Sequence, residues 1–464
     1  MCKPLSSQTP VSLKGKSSSN TTRRAHLELR GILRYVSRSY GIFDALARLK
    51  DPRAANKTVP LIDIVSTVLM MFLTQRSSMN AFFGHPLSMG DARRNAVLSA
   101  AGSSARAPSR STVERTLAGL DIGQLKALHW HIARRAYRNG TLKDAAKCTG
   151  GYRVVTLDGI ELYDSEVKDF GDYGLTRHHK NGRESHYVRV CVASVCGIGG
   201  TGSEVLTWDV LQSRDPGSKD EGELTGAKRI LDSLHDEMPG KFDVISADAL
   251  YANAPFLTHI RELGYHAVLH VKGDNRLLLK EAAERFDQPG GDTTSFRVQL
   301  RKGEWWLVTV EKAHDFRIRG YDDPVTLMRF THVPIYPDGR LDMRKNSQGE
   351  LRRMESTAYV LCTDPSMSPK DVWTISRLRW DIEDCCFHPL ATTGGIKHLY
   401  SGIALEQMLA FLLLAHNLRT LYLLRFRGRD FLGGRYLQVD FVARMLLDLQ
   451  KFPLRLLLYD EAAA

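Results

Sequence analysis

The chain has only seven cysteines in 464 residues and no C-x-x-C pair, which argues against a disulfide framework and fits a reducing compartment. A signal-peptide pattern is lacking, because the N-terminus is polar and Ser/Thr-rich. Long apolar runs are lacking too. The greasiest stretch, Met408 to Ala415, is followed by His416, Asn417 and Arg419, and is too short to span a bilayer. A cytoplasmic location without a membrane partner is therefore expected. There are no internal repeats. Acids are scarce in the first third. Residues 1–150 hold 24 Lys/Arg against 8 Asp/Glu, whereas residues 151–464 hold 40 against 44. A basic third ahead of a slightly acidic remainder suggests a polyanion partner, most simply nucleic acid. A solubilising surface excess is the plainer reading.

What remains is an ordinary globular composition, 43% hydrophobic and 25% charged, with room for two to four domains. Residues 1–25 read as a disordered basic arm. From 26 to 149 the pattern is that of a helical, DNA-binding domain. Leu61 to Leu73 is apolar enough to be buried, Ser109 to Glu114 resembles a capping box, and a longer helix carries Leu125 to Tyr137. Arg134, Arg135 and Arg138 on that helix either face phosphates or form a solvated face; both readings stay open.

After Gly150 the pattern turns β-rich and then βαβ. Arg153 to Leu157 predicts a strand delivering Asp158 at its end, and a second strand is expected over Glu161–Tyr163. Tyr187 to Val195 predicts a third, and Glu221 to His235 an amphipathic helix. Phe242 to Ala247 repeats the first design, a buried strand ending in Asp248. Asn253 caps a helix running to Gly264, and His266 to Val271 is another strand. The expected fold class is α/β, a mixed sheet flanked by helices. Residues 150–291 form its first part, 292–350 a β-rich insertion, 351–430 its second part, and 431–464 a helical tail. In the insertion, Trp305 and Trp306 point to opposite faces, so one is expected in the core while the other packs or stacks on a flipped base. His178 and His179 have no partner at metal spacing and sit in a basic loop. Cys385, Cys386 and His388 are too cramped for a four-ligand zinc site, so core packing is the expected role.

The most informative stretch is Ser368 to Leu390. Ser368 is a good N-cap, Pro369 suits the first helical position, and Pro389 is expected to stop the helix. Arg379 and Glu383 are four apart and so adjacent on the helix. A carboxylate at the edge of a buried face needs a cation, supplied by Arg379 or by a divalent metal. With Asp158 and Asp248 at strand ends, three acids converge on one sheet. Hard oxygen donors suit magnesium or manganese, and two such ions support phosphoryl transfer. A single strand-end acid is more often a turn former.

The stretches V-T-L-D-G, S-A-D-A-L-Y-A-N-A-P-F and R-W-D-I-E-D-C-C-F-H-P-L resemble the catalytic blocks of bacterial insertion-sequence transposases of the DDE class. The subgroup they are most similar to carries a Tyr-x2-Arg-x3-Glu-x6-Lys signature. The resemblance implies an RNase H-like core spanning about residues 150 to 425 here. It implies Asp158, Asp248 and Glu383 as catalytic metal ligands for Mg²⁺ or Mn²⁺, as two ions, and Arg379 and Lys272 as DNA contacts. It also implies cut-and-paste transposition acting on transposon ends and target DNA as a homodimer, in a bacterial, nucleoid-associated setting. The rival readings are a catalytically impaired DNA-binding relative and a general metal-dependent nuclease. The signature is degenerate: Ser376 stands at the tyrosine position and Leu390 at the lysine position, and Lys397 or His398 in the following loop could stand in for the lysine.

Overall fold

The computed structural model describes residues 28–76, 78–84, 108–198, 202–213, 220–273, 276–288, 290–301, 304–345, 351–426 and 438–451. These form two compact units, one holding the described residues within 136–389 and the other the described residues before 136 and after 389. The basic arm expected over 1–25 lies outside the described residues.

The second unit is helical. Its apolar helix Leu61–Leu73 is buried along nearly its whole length and packs on the long helix Leu405–Phe426. Arg419 is fully buried there, where its Nη1 donates to Phe72 O at 2.6 Å and so satisfies a carbonyl at the end of the Leu61–Leu73 helix. Leu405–Arg425 is long and apolar enough to cross a membrane by length and composition, and 78% of that stretch is buried inside the protein. Helix Glu28–Tyr40 joins this unit through Leu29 N, which donates to Asp448 Oδ2 at 2.9 Å. Ser109 caps helix Arg110–Ala118, accepting from Thr112 N, and helix Ile122–Arg138 covers the long helix expected from the sequence.

The first unit is built on one ten-stranded sheet. Its strands are β1 (Val154–Ser165), β2 (Leu175–His178), β3 (Glu184–Ile198), β4 (Gly202–Val210), β5 (Val244–Ala247), β6 (His266–Val271), β7 (Asp292–Arg301), β8 (Glu304–Phe316) and β9 (Val325–Ile335). β10 (Met343–Lys345) and β11 (Leu351–Arg353) form a separate ribbon, and β12 (Ser356–Cys362) returns to the sheet. β1, β3 and β4 make an antiparallel meander; β5 then pairs parallel to β1, and β6 parallel to β5. A parallel pair needs a crossover connection, and helices Glu223–Glu237 and Ala254–Glu262 lead into β5 and β6. This order, β4-β3-β1-β5-β6, is RNase H-like. β12 extends it antiparallel to β6, and the meander β9-β8-β7 continues the same sheet rather than forming a sheet of its own.

Helices cover both faces. Ser246 Oγ donates to Ile375 O at 3.3 Å, which puts helix Pro369–Ile382 on one face. On the other, a Cβ on Gly226 of helix Glu223–Glu237 would lie 3.6 Å from Cys191 Cβ of β3.

Four expectations are corrected. Asp158 does not end its strand, and Glu161–Tyr163 is no second strand. β1 runs unbroken past both, with a bulge between Glu161 and Tyr163 against β3; Asp158 marks instead where the shorter neighbour β5 has ended. Pro389 does not stop the helix. The α-helix closes at Ile382, and helical turns continue through the π turn Glu383–Phe387, past Pro389, to a second π turn at Leu390–Gly394. Proline lacks the N–H for an i−4 bond and crowds the carbonyl four residues back; widened turns on either side accommodate it, and His388 N–H reaches Glu383 O. Neither Trp305 nor Trp306 is core. Both are half-buried, and Trp306 packs edge-on to His332 with ring centroids 6.1 Å apart. Finally, β2 and β4 were not foreseen.

Candidate active site

The register of the central strands turns the first two acids toward one face. Thr156 of β1 faces Ser246 of β5. Continued two places beyond that last pair, the register would set Asp158 level with Asp248, the first residue beyond β5. Side chains alternate along a strand, so Thr156, Asp158, Ser246 and Asp248 share a face. It is the face that Ser246 ties to helix Pro369–Ile382. Glu383 closes that helix as its C-cap residue and opens the π turn, a feature that recurs at functional sites.

Local bonds fix each acid. Asp158 Oδ1 accepts from Gly159 N at 2.8 Å. Asp248 Oδ1 accepts from Leu250 N at 2.9 Å, capping the 3₁₀ turn Ala249–Tyr251. Arg379 links the other two. Its Nη1 donates to Glu383 Oε1 at 2.8 Å and lies 3.5 Å from Asp158 Oδ2. The Arg379 side chain is 7% exposed against 42% for Glu383, and its guanidinium stacks 4.2 Å over the Trp380 ring.

Burial pushes the Asp158 carboxyl up to about 7. Arg379 and the Gly159 N–H pull it down, while Glu223 and Glu383 add to the rise. Burial likewise lowers His270 to about 4, so its ring is neutral at pH 7; Nε2 lies 3.3 Å from Ser376 O.

The donor set suits a hard divalent cation, since it consists of carboxylate oxygens at the mouth of a sheet. Among the described residues no three His, Cys, Asp or Glu side chains are already gathered closely enough to hold a metal. Arg379 supplies the positive charge between Asp158 and Glu383 instead. A metal held by these carboxylates would have to displace the guanidinium.

The other candidate residues are placed as follows. Lys272 is exposed one position beyond β6, at the same edge of the parallel strands as Asp248. Arg138 is exposed, while Arg134 and Arg135 are half-buried; Arg135 Nη1 lies 3.5 Å from Ser39 O. Lys397 and His398 are exposed in the helical unit. The two positions that depart from the signature are buried. Ser376 is 4% exposed and donates to Trp373 O at 2.8 Å, and Leu390 is fully buried. His178 Nδ1 pairs with Glu184 at 2.9 Å and His179 Nε2 with Ser185 Oγ at 2.9 Å, so neither forms a metal site. The six described cysteines are free thiols, and Cys386 is core.

A family model described as "Transposase DDE domain" matches residues 149–418, more than half of the chain. The chain belongs to this family. No curated protein matches this DDE transposase. A solved structure similar to it is the cryo-EM structure of piggyBac transposase in a synaptic complex with hairpin DNA. The two are 12% identical with a TM-score of 0.36, over 95% of this chain and 87% of that one.

Sequence reasoning missed one acid of this transposase, Glu223, which opens helix Glu223–Glu237 and is buried. Its carboxylate lies against Gly159, so that a Cβ there would overlap it. The only sequence signal was an acid at the first turn of an amphipathic helix, which ordinarily reads as a dipole partner. The packing has a direct consequence. Gly159→Ala should destabilise the β-rich unit by about 1–3 kcal/mol, the range for overpacking a filled site. Urea unfolding of the two proteins checks it.

Proposed function

We propose that this DDE transposase cuts DNA at the ends of a bacterial insertion-sequence element and joins them to a target by cut-and-paste. The observation that carries the reading is the parallel pairing of β1 with β5, whose continuation would set Asp158 level with Asp248 on the face crossed by the Glu383-bearing helix. Two Mg²⁺ or Mn²⁺ ions bound by these three acids would activate the attacking oxygen and stabilise the leaving oxygen of an in-line phosphoryl transfer. Asp158 and Asp248 contribute from neighbouring strand positions, so their spacing is set by the sheet. Glu383, the more exposed partner, closes the site from the helix. Arg379 pairs with Glu383 and Asp158; were those carboxylates to hold a metal, its planar fork would suit a DNA phosphate.

Lys272, at the same sheet edge, and Arg134, Arg135 and Arg138 are proposed phosphate contacts. Lys397 takes the role of the signature lysine that Leu390 cannot fill. Lys397→Ala should weaken binding to an end-bearing duplex and lower the salt dependence of that binding by about one counterion. A fluorescence-anisotropy titration at several salt concentrations measures both, and unchanged values rule the lysine out. Holding two ends together calls for a homodimer on DNA.

The test is a cleavage assay on DNA carrying the inverted repeats that flank the gene, with Mg²⁺ or Mn²⁺ present. Nicking confined to the repeat ends supports the proposal. Binding without nicking would favour a second reading, a DNA-binding relative without activity, whose motive is the buried Ser376 and Leu390. Nicking without end preference would favour a general nuclease.

A further inference from the structure

Glu223 makes contacts that no single structural role requires. Its side chain is 5% exposed. Oε1 accepts from Tyr251 OH at 2.6 Å, and Oε2 lies 2.5 Å from Arg189 Nη2. The carboxylate rests on Gly159, the neighbour of Asp158. Tyr251 ends the short turn that Asp248 caps. Arg189 belongs to β3, opposite Glu161 on β1. One buried carboxylate thus joins four elements: the start of a helix, β1 beside one acid, the turn that carries the other acid, and β3.

We propose that Glu223 is a positioning residue that fixes the spacing of Asp158 and Asp248 for metal binding, an inference that rests on the metal-site reading above. Metal ligation by Glu223 itself is disfavoured by the geometry. Oε1 accepts from Tyr251, Oε2 is ion-paired with Arg189 though it accepts no hydrogen bond, and Gly159 presents the sheet face opposite to Asp158. Holding a carboxylate pair through a buried hydrogen-bonded clamp is how partners beyond the ligands tune a metal site, and losing such partners typically lowers metal affinity about 10–100-fold.

The experiment uses the full chain with Mn²⁺ alone as probe, its free fraction read by electron paramagnetic resonance. Thermal unfolding confirms that each variant is folded at the titration temperature. Glu223→Gln keeps the shape but no longer offers two anionic acceptors, and should weaken Mn²⁺ binding by about 10–100-fold. Tyr251→Phe removes a single hydroxyl and should weaken it in the same direction by less. Asp158→Asn is the control. If it leaves Mn²⁺ binding at the wild-type level, the metal-site reading fails and this inference with it. If Asp158→Asn weakens binding while folded Glu223→Gln binds as wild type, only the role of Glu223 is overturned. Should Glu223→Gln not fold, Tyr251→Phe decides: wild-type affinity there makes the clamp merely structural and overturns the proposal.

Discussion

Asp158→Asn, Asp248→Asn and Glu383→Gln should each slow metal-dependent cleavage of the element's ends by at least about a thousandfold while leaving end binding almost unchanged. Each amide keeps the shape of the acid but gives up a negative charge that a divalent cation needs. The three variants should differ in stability, which separates chemistry from folding. Asp158 is half-buried, and its carboxyl titrates at about 7 rather than near 3.8. The fold therefore disfavours its ionised form, and at pH 8 that cost is present in full. Asp158→Asn removes the cost, so the inactive protein should be at least as stable as the wild type at pH 8. Single-turnover cleavage together with urea unfolding on the same preparations checks both halves. Loss of activity accompanied by loss of fold at all three positions would mean that the acids are structural.

A second large effect is expected away from the site. Glu204 on β4 is fully buried, and neither carboxylate oxygen has a hydrogen-bond partner among the described residues. Its neighbour Ser203 donates to Cys385 O at 3.2 Å; Glu204, on the opposite face of the strand, faces away from that contact. Burial raises the Glu204 carboxyl from 4.5 to about 8. The folded state then holds a proton that the unfolded chain has released, and stability falls as pH rises between those two values. At 1.36 kcal/mol per pH unit the loss across the window is about 5 kcal/mol. Below pH 4.5 both states are protonated, and above pH 8 both are ionised, so the slope vanishes outside the window. Glu204→Gln does not titrate. Its stability relative to wild type should climb steadily from pH 4.5 to 8 and then level off. A difference that stays constant with pH would show that Glu204 ionises normally.

What the sequence made legible was local. Ser109, Asn253 and Ser368 each cap the helix expected, because a short side chain bonds a backbone N–H only three residues away. The alternating runs of the insertion became β7, β8 and β9, since period-2 patterning is a property of the strand itself. Asp158 and Asp248 drew attention because each follows a β-branched run. What stayed hidden depended on partners remote in sequence. Glu223 acquires its setting from Gly159, Arg189 and Tyr251, and nothing near residue 223 names them. Arg379 looked like a simple i,i+4 pair, yet it also reaches Asp158, 221 residues away. β4 is almost wholly buried, so it lacks the alternation that marks a half-exposed strand. Pro389 misled because a proline ordinarily ends a helix, whereas the π turns on either side let helical geometry pass it. Trp305 and Trp306 obey strand alternation, but β8 lies in the outer part of the sheet, where both tryptophans stay half-buried.

The departures at Ser376 and Leu390 also read differently once placed. Both side chains are buried, Ser376 against its own helix backbone. If the signature applies, the proposed DNA contacts fall to exposed cations such as Lys272 and Lys397.

The account stands on a divalent metal shared by Asp158, Asp248 and Glu383. Anomalous diffraction from crystals of the full chain soaked in Mn²⁺ tests it most directly. One or two peaks about 2 Å from oxygens of these three side chains, with Arg379 displaced from between Asp158 and Glu383, is the predicted result. Peaks at other residues, in a protein that cuts DNA in the same Mn²⁺ solution, would contradict it.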